Sequence, residues 1–356
     1  MNSPGQQRTA SGPENTQPAR IVLDASGGDS PLQERVSGAI EAAGLYPDTI
    51  VLLCGPGDRL QEAADDLGGL PQSAAIIDAP QSIGMHESPV KALREKPESS
   101  IAVGIQMVAD GRADAFVSAG NTGAVAACSM LRLGRLKGVQ RAGIAAPMQV
   151  LDYPVVAIDV GANVDCRPIN LLQYGIMASV FAREVLEIQN PRVGLLNVGE
   201  ETTKGNDLTK QAFELLSRAD LNFVGNVEPL QLFERGCDVL VCDGFVGNVL
   251  LKLGESLVTK LVGWVRQRVK GHPLYRLGFA LCGNVFRHLH HCADYSEYGG
   301  APLLGVKGVT IITHGASEAR AIRNAIREAR SFVKHHVNEH IEAAIQQDAA
   351  ARGMAT

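Results

Sequence analysis

The chain has 356 residues, 45% of them hydrophobic, and a formal net charge of −5. That is ample for a large buried core, and the mild negative charge gives no reason to expect nucleic acid along the whole surface. No stretch approaches the roughly 20 apolar residues that span a bilayer, so the sequence reads as a cytoplasmic protein, with lying on a membrane left open.

Residues 1–19 are polar and rich in Pro, Gly, Ser and Gln, which predicts a disordered tail rather than a signal peptide. From Arg20 onward one grammar repeats: a short β-branched run ends in Gly, Asn or Asp, and a helical pattern follows. RIVLDASGGDS, TIVLLCGPGD and AAIIDAP open the series, and helices are predicted at 89–94 and 101–109. DAFVSAGNTG, PVVAIDVGAN and RVGLLNVGEE continue it, with helices at 171–188 and 208–218. LNFVGNVE, DVLVCDGFVGN and GVTIITHGAS close it before a helix at 317–336. The apolar runs are continuous rather than alternating, which predicts strands buried on both faces and an α/β fold around a mostly parallel sheet. Right-handed crossovers would place every strand-to-helix turn on one edge, where ligands bind. Residues 20–337 read as a single catalytic domain, with 338–356 as a polar tail or helix end.

The turns carry the candidate chemistry. SAGNTGA supplies Ser118, Gly120, Asn121, Thr122 and Gly123 ahead of a helix, a glycine-lined set of amides suited to phosphate. A tight turn packed for geometry alone is the alternative. DASGGD adds Asp24, Gly27 and Gly28, DVGANVD adds Asn163, and DGFVGN adds Asp243 and Asn248. Each carboxylate in these turns has a competing role as a helix cap. In LLNVGEETTKGND, Glu201 and Lys204 follow a buried strand, and the lysine is a natural counter-charge for phosphate or an oxyanion. An exposed Glu–Lys pair is the plainer reading. His314 ends an apolar run and is a candidate donor or proton carrier, with a helix-capping histidine as the alternative.

The seven cysteines, Cys54, Cys128, Cys166, Cys237, Cys242, Cys282 and Cys292, include no C-x-x-C pair and read as reduced, buried thiols. HLHHC (His288, His290, His291, Cys292) lacks a matching ligand pair nearby, so no metal site is expected. No phosphate loop of the G-x-x-x-x-G-K-[ST] kind and no nucleophile elbow occurs.

Residues 256–292 hold six basic residues (Lys260, Arg266, Arg268, Lys270, Arg276, Arg287) and no acid, leaving 27 basic and 38 acidic residues elsewhere. Leu257, Leu261 and Trp264 add an apolar stripe at helical spacing. A protruding basic helical hairpin of this kind suits an anionic membrane surface, an acidic partner or a twin in a dimer.

Seven motifs in order resemble the bacterial phosphate acyltransferases of the PlsX family. They are DASGGD, IGMHESPVKALREKPESSI, ADAFVSAGNTGA, IDVGANVD, GLLNVGEETTKGN, NFVGNVEPLQLFERGCDVLVCDGFVGNVLLK, and YGGAPLLGVKGV followed by HG. The resemblance runs from about residue 21 to 329. It implies a three-layer α/β/α fold similar to isopropylmalate dehydrogenases and phosphotransacetylases. It implies a homodimer at the inner face of the cell membrane and acyl transfer from acyl carrier protein to inorganic phosphate, for phospholipid synthesis. Ser26 and Ala142 stand where that family usually has Met and Pro.

Phosphate attack on a thioester needs no protein nucleophile, because a thiol of pKa about 8.5 leaves readily as thiolate. On this reading the SAGNTG turn, Lys204 and His314 bind phosphate, Asn163 and Asn248 donate to phosphate or the acyl oxygen, and Asp243 and Glu201 orient them. No cofactor and no nucleic acid are called for. A coenzyme A phosphotransacylase, a nicotinamide-dependent dehydrogenase and a membrane scaffold are the competing readings.

Overall fold

The computed structural model describes residues 17–271, 274, 275 and 299–353. The first half runs β1 (Ala19–Asp24), α1 (Leu32–Leu45), β2 (Thr49–Gly55), α2 (Gly57–Asp66), β3 (Ala74–Asp78), α3 (Pro89–Glu95), α4 (Ser100–Ala109), β4 (Ala115–Ser118) and α5 (Thr122–Arg132). A hairpin of β5 (Gly143–Val150) and β6 (Tyr153–Ile158) follows. The second half continues with α6 (Pro168–Glu184), β7 (Val193–Leu196), α7 (Asp207–Leu216), β8 (Phe223–Val227), β9 (Val239–Val241) and α8 (Gly244–Lys270). Then come β10 (Ala301–Leu304), β11 (Val309–Ile312), α9 (Ala319–Lys334) and α10 (Val337–Ala351).

Among the described residues, eleven strands form one sheet in the order β3-β2-β1-β4-β11-β10-β5-β6-β9-β7-β8. Its pairings are parallel except β10 with β11, β10 with β5, and β5 with β6. Three reversals in succession turn β6, β9, β7 and β8 opposite to β1–β4 and β11. The strand ends therefore fall on two opposite edges, which corrects the expectation of one shared edge. The crossover rule still orders each half, but the two-residue turn at Leu151 and Asp152 flips the second half over.

Helices cover both faces, giving three layers. On one face α1, α2, α6, α7, α9 and α10 bury residues such as Val36, Leu172, Phe181 and Ile322 against Ile21, Leu23 and Val156. On the other, α3, α4 and α5 pack Ile101, Ile105 and Val125 against Val22 and Phe116. The segment after residue 337, read as a tail or helix end, is the helix α10, and Val337, Ile341 and Ile345 at i, i+4 and i+8 dock it on the core.

The basic insert does not begin as a separate element. Its first arm is the continuation of α8, 27 residues and about 40 Å long. Leu253, Leu257, Leu261 and Trp264 are exposed along it, and Arg268 lies over the Trp264 ring at 5.4 Å. The predicted second arm, the HLHHC stretch and residues 1–16 lie outside the described residues. Among the described residues, no helix is long and apolar enough to cross a membrane.

One ion cluster ties α9 to the approach of β2. Arg330 and Lys334 hold the Asp48 carboxyl well below the usual range, chiefly through the Arg330 hydrogen bond. A depressed carboxylate contributes stability above its unfolded pKa of about 4 and loses it as pH falls. The cluster is part-exposed, so Asp48→Asn is expected to cost no more than about 1 kcal/mol in urea unfolding at pH 7. The difference from wild type should shrink steadily below about pH 4.

Candidate active site

On the first edge, the end of β1 meets the ends of β4 and β11. The Asp24 carboxylate is fully buried, and one of its oxygens accepts the Ser26 and Gly27 N–H groups at 3.1 and 3.0 Å. Its other oxygen accepts the Ser118 hydroxyl at 2.7 Å, and Ser118 Oγ accepts the Gly120 N–H at 2.9 Å. One carboxylate thus latches the DASGGD turn to the SAGNTG turn. The turns touch backbone to backbone, since a Cβ on Gly27 would sit 2.7 Å from the Gly120 Cα. Gly28 has φ +99, and the Gly315 carbonyl accepts the Asp29 N–H at 2.7 Å, which draws the His314 turn into the same cluster.

Asn121 behaves differently from its sequence reading. Its Oδ1 caps α5 by accepting the Ala124 N–H, and its Nδ2 faces the carbonyls of Gly84, Met85 and Glu87 at 3.0–3.2 Å. Two amide hydrogens facing three carbonyls have no capacity left for phosphate. Asn121 therefore shapes the turn and pins the preceding loop. Thr122 and Gly123, by contrast, are exposed at the start of α5.

His314 follows β11 and is half-buried, with Nδ1 accepting the Ala316 N–H at 3.1 Å. In the neutral ring that bond places the proton on Nε2, making Nε2 the donor. A cleft of about 170 Å³ opens beside it, across the face of the central strands. Ile144, Ala146, Val160 and Ile312 make an apolar floor, and Thr122, Asn248 and His314 supply polar groups around it. Asn248 reaches the cleft from α8, next to Gly161.

The remaining predicted residues lie on the second edge. Asn163 is 5% exposed and its amide is spent: the two Nδ2 hydrogens face the Ala142 carbonyl, Asp159 Oδ2 and the Tyr174 hydroxyl, while Oδ1 accepts from Arg141. It belongs to a buried Asp159 turn built like the Asp24 turn, in which Asp159 accepts N–H groups from Ile144, Gly161, Ala162 and Asn163. Burial pushes the Asp159 carboxyl up, but both oxygens face only donors, so the charged form is the one that fits. Asp243 is the N-cap of α8, accepting the Phe245 and Val246 N–H groups. Its orienting role becomes that of fixing where α8, and hence Asn248, begins.

Glu201 and Lys204 are exposed on the loop after β7. Five strand spacings of about 4.8 Å separate β7 from β11, roughly 24 Å, and the two strands end on opposite edges. Within one chain Lys204 and His314 therefore do not meet, contrary to their shared assignment. The residue that sequence reasoning missed is Lys252, which lines the cleft one helical turn after Asn248 and pairs with Glu255 at 2.9 Å. The i, i+4 spacing from Asn248 was the available signal. Lys252→Ala is expected to weaken binding of inorganic phosphate, used as a probe anion, several-fold with little change in melting temperature, measured by calorimetry and thermal unfolding.

Among the described cysteines, Cys54, Cys128, Cys166, Cys237 and Cys242 are all pushed above the ordinary thiol range, chiefly by burial. None of them lines the cleft. Among the described residues, no group of three or more His, Cys, Asp or Glu side chains is placed to hold a metal ion.

A family model described as a fatty acid synthesis protein matches residues 19–340. This chain belongs to that family. A phosphate acyltransferase of Heliobacterium modesticaldum is 46% identical over 332 residues, covering 92% of this chain and 99% of the relative. A phosphate acyltransferase of Desulforudis audaxviator is 47% identical over 315 residues, covering 88% and 92%. The family identifies the chain as an acyl-transferring enzyme of lipid biosynthesis.

Solved structures show the fold alone. A phosphotransacetylase from Streptococcus pyogenes superposes with a TM-score of 0.59 at 15% identity, covering 89% of this chain and 94% of that one. A 4-hydroxythreonine-4-phosphate dehydrogenase from Klebsiella pneumoniae gives 0.53 at 12% identity, covering 90% and 99%. The three-layer α/β/α sheet is common ground for acyl transfer and dehydrogenase chemistry.

Proposed function

We propose that this enzyme transfers the acyl group of acyl-acyl carrier protein to inorganic phosphate, yielding acyl phosphate and free carrier for phospholipid synthesis. The observation that carries the reading is the cleft itself: an amide-rich turn at Thr122 and Gly123 and a histidine donor stand beside an apolar floor. Phosphate fits the first and an acyl thioester the second.

In this reading the amides at the start of α5, Lys252 and His314 hold phosphate, and Asn248 faces the thioester carbonyl from α8. A phosphate oxygen attacks the carbonyl carbon, forming a C–O bond and a tetrahedral oxyanion. Donors fixed in advance stabilise that charge without reorganising. The C–S bond then breaks, and the thiolate leaves without obligatory protonation because its pKa is about 8.5. The described cysteines all lie outside the cleft, which agrees with direct attack by phosphate instead of an acyl-enzyme. Cys128→Ala and Cys242→Ala, assayed for phosphate-dependent thiol release, are each expected to stay within about threefold of wild type if folded.

Lys204 and Glu201 enter this reading only through a second copy of the chain. Val198, Leu230, Phe233, Phe245 and Val249 are 51–80% exposed on the second-edge half, an apolar surface suited to covering by a twin. The protein would then work as a homodimer in which the Lys204 loop of one copy faces the His314 cleft of the other. The exposed stripe and basic residues of α8 support peripheral attachment to an anionic membrane at its cytoplasmic face.

The test is thiol release from acyl carrier protein with and without phosphate, and with an acyl-coenzyme A donor alongside. The proposal expects phosphate-dependent release from the carrier with the higher kcat/KM. Phosphate-independent release, or a preference for coenzyme A, would overturn it.

A further inference from the structure

We propose that the groove between α3 and α5 docks an acidic amphipathic helix of the protein that carries the acyl thioester. The inference rests on the proposed function and deepens it, by assigning the carrier a place away from the α8 arm.

The groove has a volume of about 460 Å³ and an apolar bed that includes Val90, Leu93, Met130 and Leu131. Val90 and Leu131 are 50% and 74% exposed, and with Leu93 and Met130 they line one apolar trough of the kind that marks a binding surface. Arg94 and Arg132 stand at its rim. Arg132 donates to the Ala102 carbonyl and the Gln106 amide oxygen, and among the described residues neither guanidinium is paired with a carboxylate. Glu95, the neighbouring acid, sits 3.9 Å from Lys91 on its own helix. Two cations flanking an apolar trough complement a helix that shows leucine-like side chains on one face and carboxylates beside them.

Position supplies the second reason. Both walls of the groove lead to the phosphate turn, because a Cβ on Gly123 would lie 2.7 Å from Pro89 Cγ at the start of α3. Leu131 is nine residues along α5 from Thr122, about 14 Å. A carrier seated there has its flexible prosthetic arm within reach of the cleft, and α8 is left for the membrane.

The test uses two exposed substitutions, Arg94→Glu and Leu131→Asp, in the full-length protein, with Lys260→Glu/Arg268→Glu as comparator. Acyl carrier protein, a small acyl thioester and anionic phosphatidylglycerol vesicles are the probes. Docking at the groove predicts that each groove variant raises the KM for acyl carrier protein about tenfold, holds kcat, and loses the defect with the small thioester. The comparator is expected to weaken vesicle sedimentation and leave that KM unchanged. An unchanged carrier KM in both groove variants overturns the inference, as does a rise in the comparator alone. An equal loss with the small thioester also overturns it, by placing these residues in the chemistry. Failure of the underlying function looks different: wild type would then release no thiol in response to phosphate from either donor.

Discussion

Lys204→Ala and His314→Ala, each purified alone, are expected to lose at least about a hundredfold in kcat/KM, and a heterodimer of the two variants to recover about half of wild-type activity. The arithmetic follows from the sheet. In one chain these residues stand on opposite edges, five strands apart. If two copies meet through a two-fold axis, each cleft takes its His314 from one copy and its Lys204 from the other. In the mixed dimer one cleft then carries both substitutions and the other carries neither. Co-expression with two affinity tags isolates the heterodimer, and thiol release per dimer reads the outcome. Inactive parents with an inactive heterodimer would contradict sharing between copies. A fully active Lys204→Ala enzyme would remove the lysine from catalysis altogether.

The second large effect is expected from one methyl group. In Gly27→Ala the new Cβ lies 2.4 Å from Asp24 Oδ2 and 2.8 Å from the Gly120 nitrogen. Neither neighbour is the loose end of a long side chain. Asp24 is held by three hydrogen bonds, and Gly120 belongs to the backbone of the SAGNTG turn. The two turns must separate, which misplaces the amides proposed to hold phosphate. Kinetics should show kcat/KM for phosphate down about a hundredfold, against an overpacking cost in stability of about 1–3 kcal/mol. Gly44→Ala is the matched control, since its Cβ would meet nothing within 4 Å on α1. That substitution is expected to leave activity intact and stabilise slightly, as alanine favours helix over glycine by up to about 1 kcal/mol. A Gly27→Ala enzyme with wild-type phosphate kinetics would mean the DASGGD turn does not position the site.

The alternation of buried strands and helices was legible because continuous apolar runs ending in Gly or Asp have one common architectural solution. What stayed hidden was direction. The β5–β6 reversal is made by MQVLDYPVV, whose Leu151 takes φ 55 without the Asn-Gly or Asp-Gly that advertises a two-residue hairpin. Missing that turn placed Lys204, Asn163 and His314 on one edge. The turn asparagines failed for another reason. Asn121 and Asn163 look like free amides in a string of letters, and only the surrounding carbonyls show that their hydrogens are spent. Asp243 faced the same ambiguity between cap and ligand, and capping won. Asp24, Gly27, Ser118 and Gly120 do come together at one edge. Their partnership, one carboxylate latching two turns 94 residues apart, was not readable from spacing. Lys252 was overlooked because it lies in the amphipathic run of α8, where a lysine ordinarily faces solvent.

The cleft beside His314 and the start of α5 is proposed as the place where phosphate meets a carrier-borne thioester. Incubating the enzyme with acyl carrier protein thioester and labelled phosphate, then counting label in acyl phosphate against thiol released, tests this most directly. One labelled acyl phosphate per thiol, and no thiol without phosphate, is the expected result. Free fatty acid accumulating at the same rate whether or not phosphate is present would contradict it.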